Sequence, residues 1–90
     1  MTHTTAKSFW ITYYKLPQTV QKVADKQFEL LVANSKHPSL KFKRLKNSLL
    51  WSARVTQDYR AVAVPVEDGF QWLWIGAHTE YEHIIKRFRS

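Results

Sequence analysis

The chain has 90 residues, of which 44% are hydrophobic and 14% aromatic, with two glycines and no cysteine. This length and composition predict one folded domain over residues 1–90 and exclude a disordered or collagen-like chain. The lack of cysteine excludes a disulfide framework, a thiolate zinc site and a cysteine nucleophile, and it is typical of a cytoplasmic protein. Fourteen Lys and Arg against seven Asp and Glu give a net charge of +7. The expected counterpart is a nucleic acid, an acidic protein or an anionic surface.

The positive charge is concentrated in the middle of the sequence. No acidic residue occurs from Leu30 to Gln57, and this stretch holds six basic residues: Lys36, Lys41, Lys43, Arg44, Lys46 and Arg54. Such a field favours a polyanion-binding surface, with incidental clustering on a solvated surface as the alternative. The apolar runs are far shorter than the ~20 residues of a membrane-spanning helix, and the first ten residues lack a secretory signal.

The first half of the chain has helical periodicity. A short strand is expected at residues 2–7, followed by a helix that Ser8 caps. A second helix is expected to have Pro17 in its first turn and to extend to Asn34. Its apolar stripe consists of Val20, Val23, Ala24, Phe28, Leu31 and Val32, which is the spacing of an amphipathic helix.

The second half alternates with the period of strands. Strands are expected at residues 49–56, 59–66 and 70–77, separated by turns at 57–58 and 67–69. The third strand places Phe70, Trp72 and Trp74 on one face and Leu73 and Ile75 on the other, which is typical of a central strand or a partner-contacting face. A helix over residues 78–88 follows. The prediction is an α+β domain: a small twisted antiparallel sheet, two N-terminal helices packed on one face, and a short C-terminal helix.

The sequence contains no motif that is typical of a metal site or a nucleotide-cofactor site. His78 and His83 are five residues apart, which is not the spacing of two ligands on one helix face. The glycines, Gly69 and Gly76, are too far apart to form a phosphate-binding loop. We therefore expect no metal ion and no nucleotide cofactor.

One basic and aromatic set remains as a candidate site. Arg54, Arg60 and His78 lie at strand ends that meet in an antiparallel sheet, and Tyr81 follows one helical turn after His78. Arginine matches phosphate geometry, histidine transfers protons near neutral pH, and tyrosine stacks on bases. The set therefore suits cleavage of RNA, whose 2′-hydroxyl is the nucleophile. The alternative is structural: Tyr81 fills the core, His78 caps the helix, and the arginines pair with Asp58 or Glu80.

Four segments in order resemble the RelE/ParE superfamily of toxins from bacterial type II toxin–antitoxin modules. They are HPSLKFKRLK at 37–46, LWSARV at 50–55, DYRAV at 58–62 and WLWIGAHTEYE at 72–82. The resemblance covers nearly the whole chain and implies a β-α-α-β-β-β core. RelE-like members are ribosome-dependent endoribonucleases that cut mRNA, whereas ParE-like members share the fold and act on DNA gyrase.

The resemblance also implies roles for individual residues. RNA or ribosomal backbone would contact Lys41, Lys43, Arg44 and Lys46. Arg60 and, less specifically, Arg54 would stabilise the phosphate, His78 or else Glu80 would act as base, and Tyr81 would position the nucleotide.

The implied partners are mRNA on the ribosome and a cognate acidic antitoxin. Trp51, Trp72 and Trp74 are the expected exposed patch for that antitoxin, unless they are core residues. Gyrase inhibition without catalysis and an inactive RNA-binding homologue are the competing functions.

Overall fold

Residues 1–89 are described in a computed structural model of the chain, with the side chain of Arg89 left aside. Within them lie three α-helices and a 3₁₀ turn: α1 (Lys7–Tyr13), α2 (Gln18–Ala33), the turn at Pro38–Leu40, and α3 (His78–Arg89). No helix in this part of the chain is long and apolar enough to cross a membrane.

Five strands form one sheet: β1 (Thr2–Thr5), β2 (Lys43–Arg44), β3 (Trp51–Thr56), β4 (Tyr59–Val66) and β5 (Gly69–Ala77). Their order across the sheet is β1-β5-β4-β3-β2. The α+β fold is confirmed, and β5 is a central strand as its two apolar faces predict. The sheet is mixed, however, because β1 pairs with β5 in parallel. Two helices separate β1 from the rest of the sheet, and a helical connection permits the parallel pairing that a tight hairpin forbids.

The sheet is covered on both faces, and each face has its own apolar core. Helices α1 and α2 cover a core that includes Leu31, Leu40, Ala61 and Trp72. Helix α3 covers the other face, where Tyr81, Ile84 and Ile85 pack against a cluster of buried residues: Leu50, Val62 and Trp74. We call these the first and second faces of the sheet below.

A β-bulge in β5 separates two tryptophans that the alternating pattern places together. Val62 pairs with Trp74 and Ala63 pairs with Trp72, so Leu73 is the extra residue on β5. The prediction that Trp72 and Trp74 share a face is therefore wrong: Trp72 packs on the first face and Trp74 on the second. They are 3% and 4% exposed. The exposed patch expected at these two residues is also wrong, because helices cover both faces of the sheet and one indole is buried on each face.

The helices begin slightly differently from the predictions. Ser8 lies inside α1 and does not cap it; its hydroxyl donates to the carbonyl of Leu73 at 2.7 Å and ties the helix to the sheet. Pro17 is the N-cap residue of α2, one position before the first turn.

Helix α2 buries only part of its predicted stripe. Ala24 and Leu31 are buried, while Val23, Phe28 and Val32 remain exposed. The helix therefore presents apolar side chains beyond the line that contacts the sheet.

Candidate nucleic-acid interface

Three residues form a row across the middle strands on the second face of the sheet. Arg54 of β3 is the register partner of Arg60 of β4, and Arg60 is in turn the partner of Gly76 of β5. Directly opposed residues in antiparallel strands point to the same face. Both arginines are partly buried. Two like charges in direct opposition are unfavourable, so the row is a ready site for an anion.

The turn between β3 and β4 holds Arg60 and the start of α3 together. Nη1 of Arg60 donates to the carbonyl oxygens of Thr56, Gln57 and Tyr59 at 2.6, 3.2 and 2.9 Å. The remaining carbonyl of this turn, that of Asp58, accepts the backbone N–H of His78 at 2.7 Å. Arg60 and His78 are therefore fixed to one four-residue turn. Because a guanidinium carries five N–H donors, Nε and Nη2 supply three donors besides those of Nη1.

His78 and Tyr81 form a stacked pair at the start of α3. Their ring centroids are 5.9 Å apart and their planes differ by 18°. His78 is exposed, whereas Tyr81 is partly buried against the second-face core. The spacing of three residues, which is close to one helical turn, produces this overlap. Glu80, the alternative base, is exposed in the first turn of the same helix.

The four basic residues after α2 are all exposed, but they occupy different local structures. Lys43 on β2 is the register partner of Ser52, which places it on the second face beside Arg54. Arg44 donates from Nε to the carbonyl of Ser48 at 2.9 Å and so spans the β2–β3 loop. Lys41 ends the 3₁₀ turn in a left-handed conformation, and Lys46 lies in the loop. Register thus places Lys43 beside the arginine row.

The sequence reasoning missed Gly76 and Trp74 as parts of this region. A Cβ added to Gly76 would approach the indole of Trp74, with Cε2 and Cη2 each at 3.0 Å. The indole therefore lies across the backbone of Gly76, the register partner of Arg60. A glycine inside an aromatic strand is a signal of close approach, and it was available in the sequence.

No group of three or more His, Asp or Glu side chains within residues 1–89 is arranged to hold a metal ion. What these described residues do present is cationic and aromatic chemistry: guanidinium, imidazole and phenol groups at one end of the sheet. Such groups bind phosphates, transfer protons and stack on bases.

Comparison with solved structures identifies the fold as that of small toxins. The RelB–RelE antitoxin–toxin complex from Methanococcus jannaschii is similar with a TM-score of 0.72 at 17% identity, covering 90% of this chain and 96% of that one. The YoeB dimer from Staphylococcus aureus gives 0.65 at 15%, covering 87% and 97%. The isolated E. coli RelE toxin gives 0.60 at 14%, covering 96% of both chains.

The family follows from the sequence itself. Residues 18–83 match the model of the ParE-like toxin domain, which is well over half of the chain. The protein therefore belongs to the ParE-like toxin domain family, and the resemblance to the RelE/ParE superfamily is confirmed. A search of curated proteins gives no match.

Proposed function

We propose that the protein is the toxin of a type II toxin–antitoxin module and that it cleaves mRNA on the ribosome. The observation that carries this proposal is the shared turn at residues 56–59, which holds the Arg60 guanidinium and the first residue of α3. Arg54 stands beside Arg60 in register, and Tyr81 stacks on His78. The fold of solved RelE and YoeB toxins supports the same class of protein.

The proposed chemistry uses the RNA's own nucleophile. The 2′-hydroxyl attacks the adjacent phosphorus and the bond to the 5′-oxygen breaks, which leaves a cyclic phosphate and a 5′-hydroxyl. Arg60 and Arg54 stabilise the charge that develops on the phosphate oxygens. His78 takes the proton from the 2′-hydroxyl or gives one to the leaving oxygen. Tyr81 positions the nucleotide, and Lys41, Lys43, Arg44 and Lys46 contact the backbone of mRNA or ribosomal RNA.

The proposal is tested by mapping mRNA cleavage with primer extension in a translating extract. Arg60→Ala and His78→Ala should each reduce cleavage by about 10²-fold, the typical loss when a charge-stabilising or proton-transferring group is removed. Lys22→Ala on the exposed side of α2 is the matched control and should cleave normally. Arg60 also donates to the turn carbonyls, so its loss affects structure as well as charge. Arg60→Lys keeps the charge, and its fold and cleavage are compared with those of Arg60→Ala by circular dichroism and by the same cleavage assay.

Two outcomes of this experiment would change the assignment. Full cleavage by both His78→Ala and Arg60→Ala would refute the proposed site. Loss of cleavage in Glu80→Gln, with retention in His78→Ala, would transfer the role of base to Glu80.

Inhibition of DNA gyrase without catalysis is the second candidate function, and the match to the ParE-like domain favours it. The two functions differ in phenotype. Rapid loss of translation on expression would support the nuclease, and DNA damage signalling with gyrase binding would support the inhibitor. Binding of RNA without cleavage would indicate an inactive homologue.

An acidic antitoxin is the partner that we propose for either toxin, acting in the cytoplasm. The chain carries +7, and RelE of Methanococcus jannaschii was solved with RelB. Large apolar side chains are exposed at Ile11 of α1 and at Tyr14, which directly follows that helix, rather than at the strand tryptophans. Co-expression with a small acidic protein encoded alongside should give a complex that relieves toxicity.

A further inference from the structure

An apolar cavity of about 420 Å³ lies between α1, α2 and the first face of the sheet. Five aromatic residues contribute to its lining: Phe9, Trp10, Tyr13, Phe28 and Trp72. This volume lies within the ~300–1,000 Å³ of ordinary small-molecule sites, which are also lined mostly by apolar and aromatic groups. Arg54 of the proposed RNA site also lines this cavity, whereas Arg60, His78 and Tyr81 do not.

Small side chains create the cavity. Ala24 of α2 and Ala53 and Ala61 of the sheet all line the space and belong to the first-face core. A helix normally fills such a gap with larger residues, because protein interiors are close-packed. Here alanine on both layers leaves room for a ring.

Two aromatic residues form the rim of the cavity and remain accessible from solvent. Trp10 is 41% exposed and Phe28 is 44% exposed. The Trp10 ring is held in place by its Nε1, which donates to the hydroxyl of Thr5 at 2.8 Å. The cavity is therefore open at one side, with an ordered entrance.

Three charged residues line the cavity: Asp25 and Glu29 of α2, and Arg54 of β3, whose register places its side chain on the second face. Asp25 and Glu29 are four residues apart, which places them on one helix face, and both line the space. Tyr13 donates its hydroxyl proton to Oδ1 of Asp25 at 2.8 Å. Burial and this hydrogen bond raise the pKa of Tyr13 to about 12, so the phenol remains a hydrogen-bond donor to Asp25.

We propose that this cavity binds a small cationic aromatic molecule. Its ring would lie among the five aromatic side chains, and its ammonium group would contact Asp25 and Glu29. Charge selects this occupant: in a chain of +7, the cavity is lined by two carboxylates against one arginine, and the arginine side chain is directed to the second face by its register. The carboxylates attract a cation and repel an anionic ring. An acidic antitoxin segment is disfavoured at the same place for the same reason.

The test uses three indoles with one ring and different charge: tryptamine, 3-methylindole and indole-3-propionate. Binding to the purified full chain is measured by isothermal titration at neutral pH. Tryptamine should bind about ten-fold more tightly than indole-3-propionate, because an exposed carboxylate adds a fraction of a kcal/mol of attraction in one case and of repulsion in the other. At ten times its dissociation constant, it should raise Tm by about 5 °C or more.

Variants locate the binding. Ala24→Leu fills the cavity from α2 and should abolish binding of all three indoles while the chain remains folded by circular dichroism. Asp25→Asn with Glu29→Gln should weaken tryptamine about three- to ten-fold and leave 3-methylindole unchanged. Lys22→Ala is the control on the same helix, away from the cavity lining, and should bind normally.

Several results would overturn the proposal. Equal affinity for the cationic and anionic indoles, undiminished binding by Ala24→Leu, or no binding of tryptamine at all would each do so. Occupation of the cavity by a helix of a co-expressed antitoxin, with no effect of tryptamine on that complex, would assign the cavity to the partner instead. None of these outcomes depends on whether the chain cleaves RNA.

Discussion

The contact between Gly76 and Trp74 makes a sharp prediction for Gly76→Ala. The added methyl group would meet three atoms of the indole, two of them at 3.0 Å and one still closer. The indole is a rigid ring, it is only 4% exposed, and it packs beneath α3 with Leu50 and Val62. It therefore cannot move aside without disturbing the second-face core.

The expected magnitude is the difference between two opposing effects. Alanine in a strand is favoured over glycine by roughly 0.5–1 kcal/mol, since the unfolded chain loses less entropy. Overpacking a core costs about 1–3 kcal/mol. The net change in the free energy of unfolding should be a loss of about 1 kcal/mol, which lowers Tm by about 4–8 °C in a domain of this size.

Urea denaturation of four proteins gives the measurement: the parent chain, Gly76→Ala, Trp74→Phe and the double variant. Trp74→Phe should be destabilising by itself, because it shrinks a buried side chain. In that background Gly76→Ala should cost little, since the smaller ring leaves room for the methyl group, and the cycle should show favourable coupling. A stabilising Gly76→Ala in the parent chain, or a cost that is the same in both backgrounds, would refute the reasoning.

Three further predictions concern the rest of the fold. A Cβ at Gly69 would overlap the carbonyl of Thr2, so Gly69→Ala should detach β1 and expose its amides to hydrogen exchange; unchanged protection would contradict this. His3 accepts a hydrogen bond from Nε1 of Trp72 at 3.1 Å, and burial lowers its pKa below the ordinary 6.5. The unfolded chain therefore binds the proton more readily, and stability should be full above about pH 6.5 and fall below it; a pH profile of the urea midpoint identical in His3→Gln would count against this. Leu40 is 1% exposed, so Leu40→Ala should cost about 2–5 kcal/mol in the same denaturation assay, and a cost well below that range would show that the site collapses around the smaller residue.

Local pattern predicted the long elements of this chain well. The strand expected at residues 59–66 matches β4 at both ends, because turn residues bound a run of small and β-branched side chains. Strand β2 was not predicted. It is two residues long and exists through its pairing with β3, so its own sequence carries too little signal.

In the candidate site, too, local sequence predicted one part of the arrangement and did not predict another. A short turn between two strands predicts that Arg54 and Arg60 approach each other, and the register agrees. The contacts of the Arg60 guanidinium with three turn carbonyls follow from side-chain geometry and could not be predicted from composition. The roles of these residues in cleavage stay predictions.

The prediction from alternating apolar residues was wrong at Leu73. A bulge depends on how two strands pair, and the local sequence pattern describes only one of those strands.

The extra residue in β5 constrains how sequences of this kind can diverge. Deleting Leu73 would remove the bulge and make Trp72 and Trp74 direct neighbours in regular alternation, so each later side chain would keep its present face. A one-residue deletion elsewhere in β5 would instead turn the residues beyond it to the opposite face. Homologues with a shorter strand should therefore lack the residue at this point and still carry a large apolar side chain on each side.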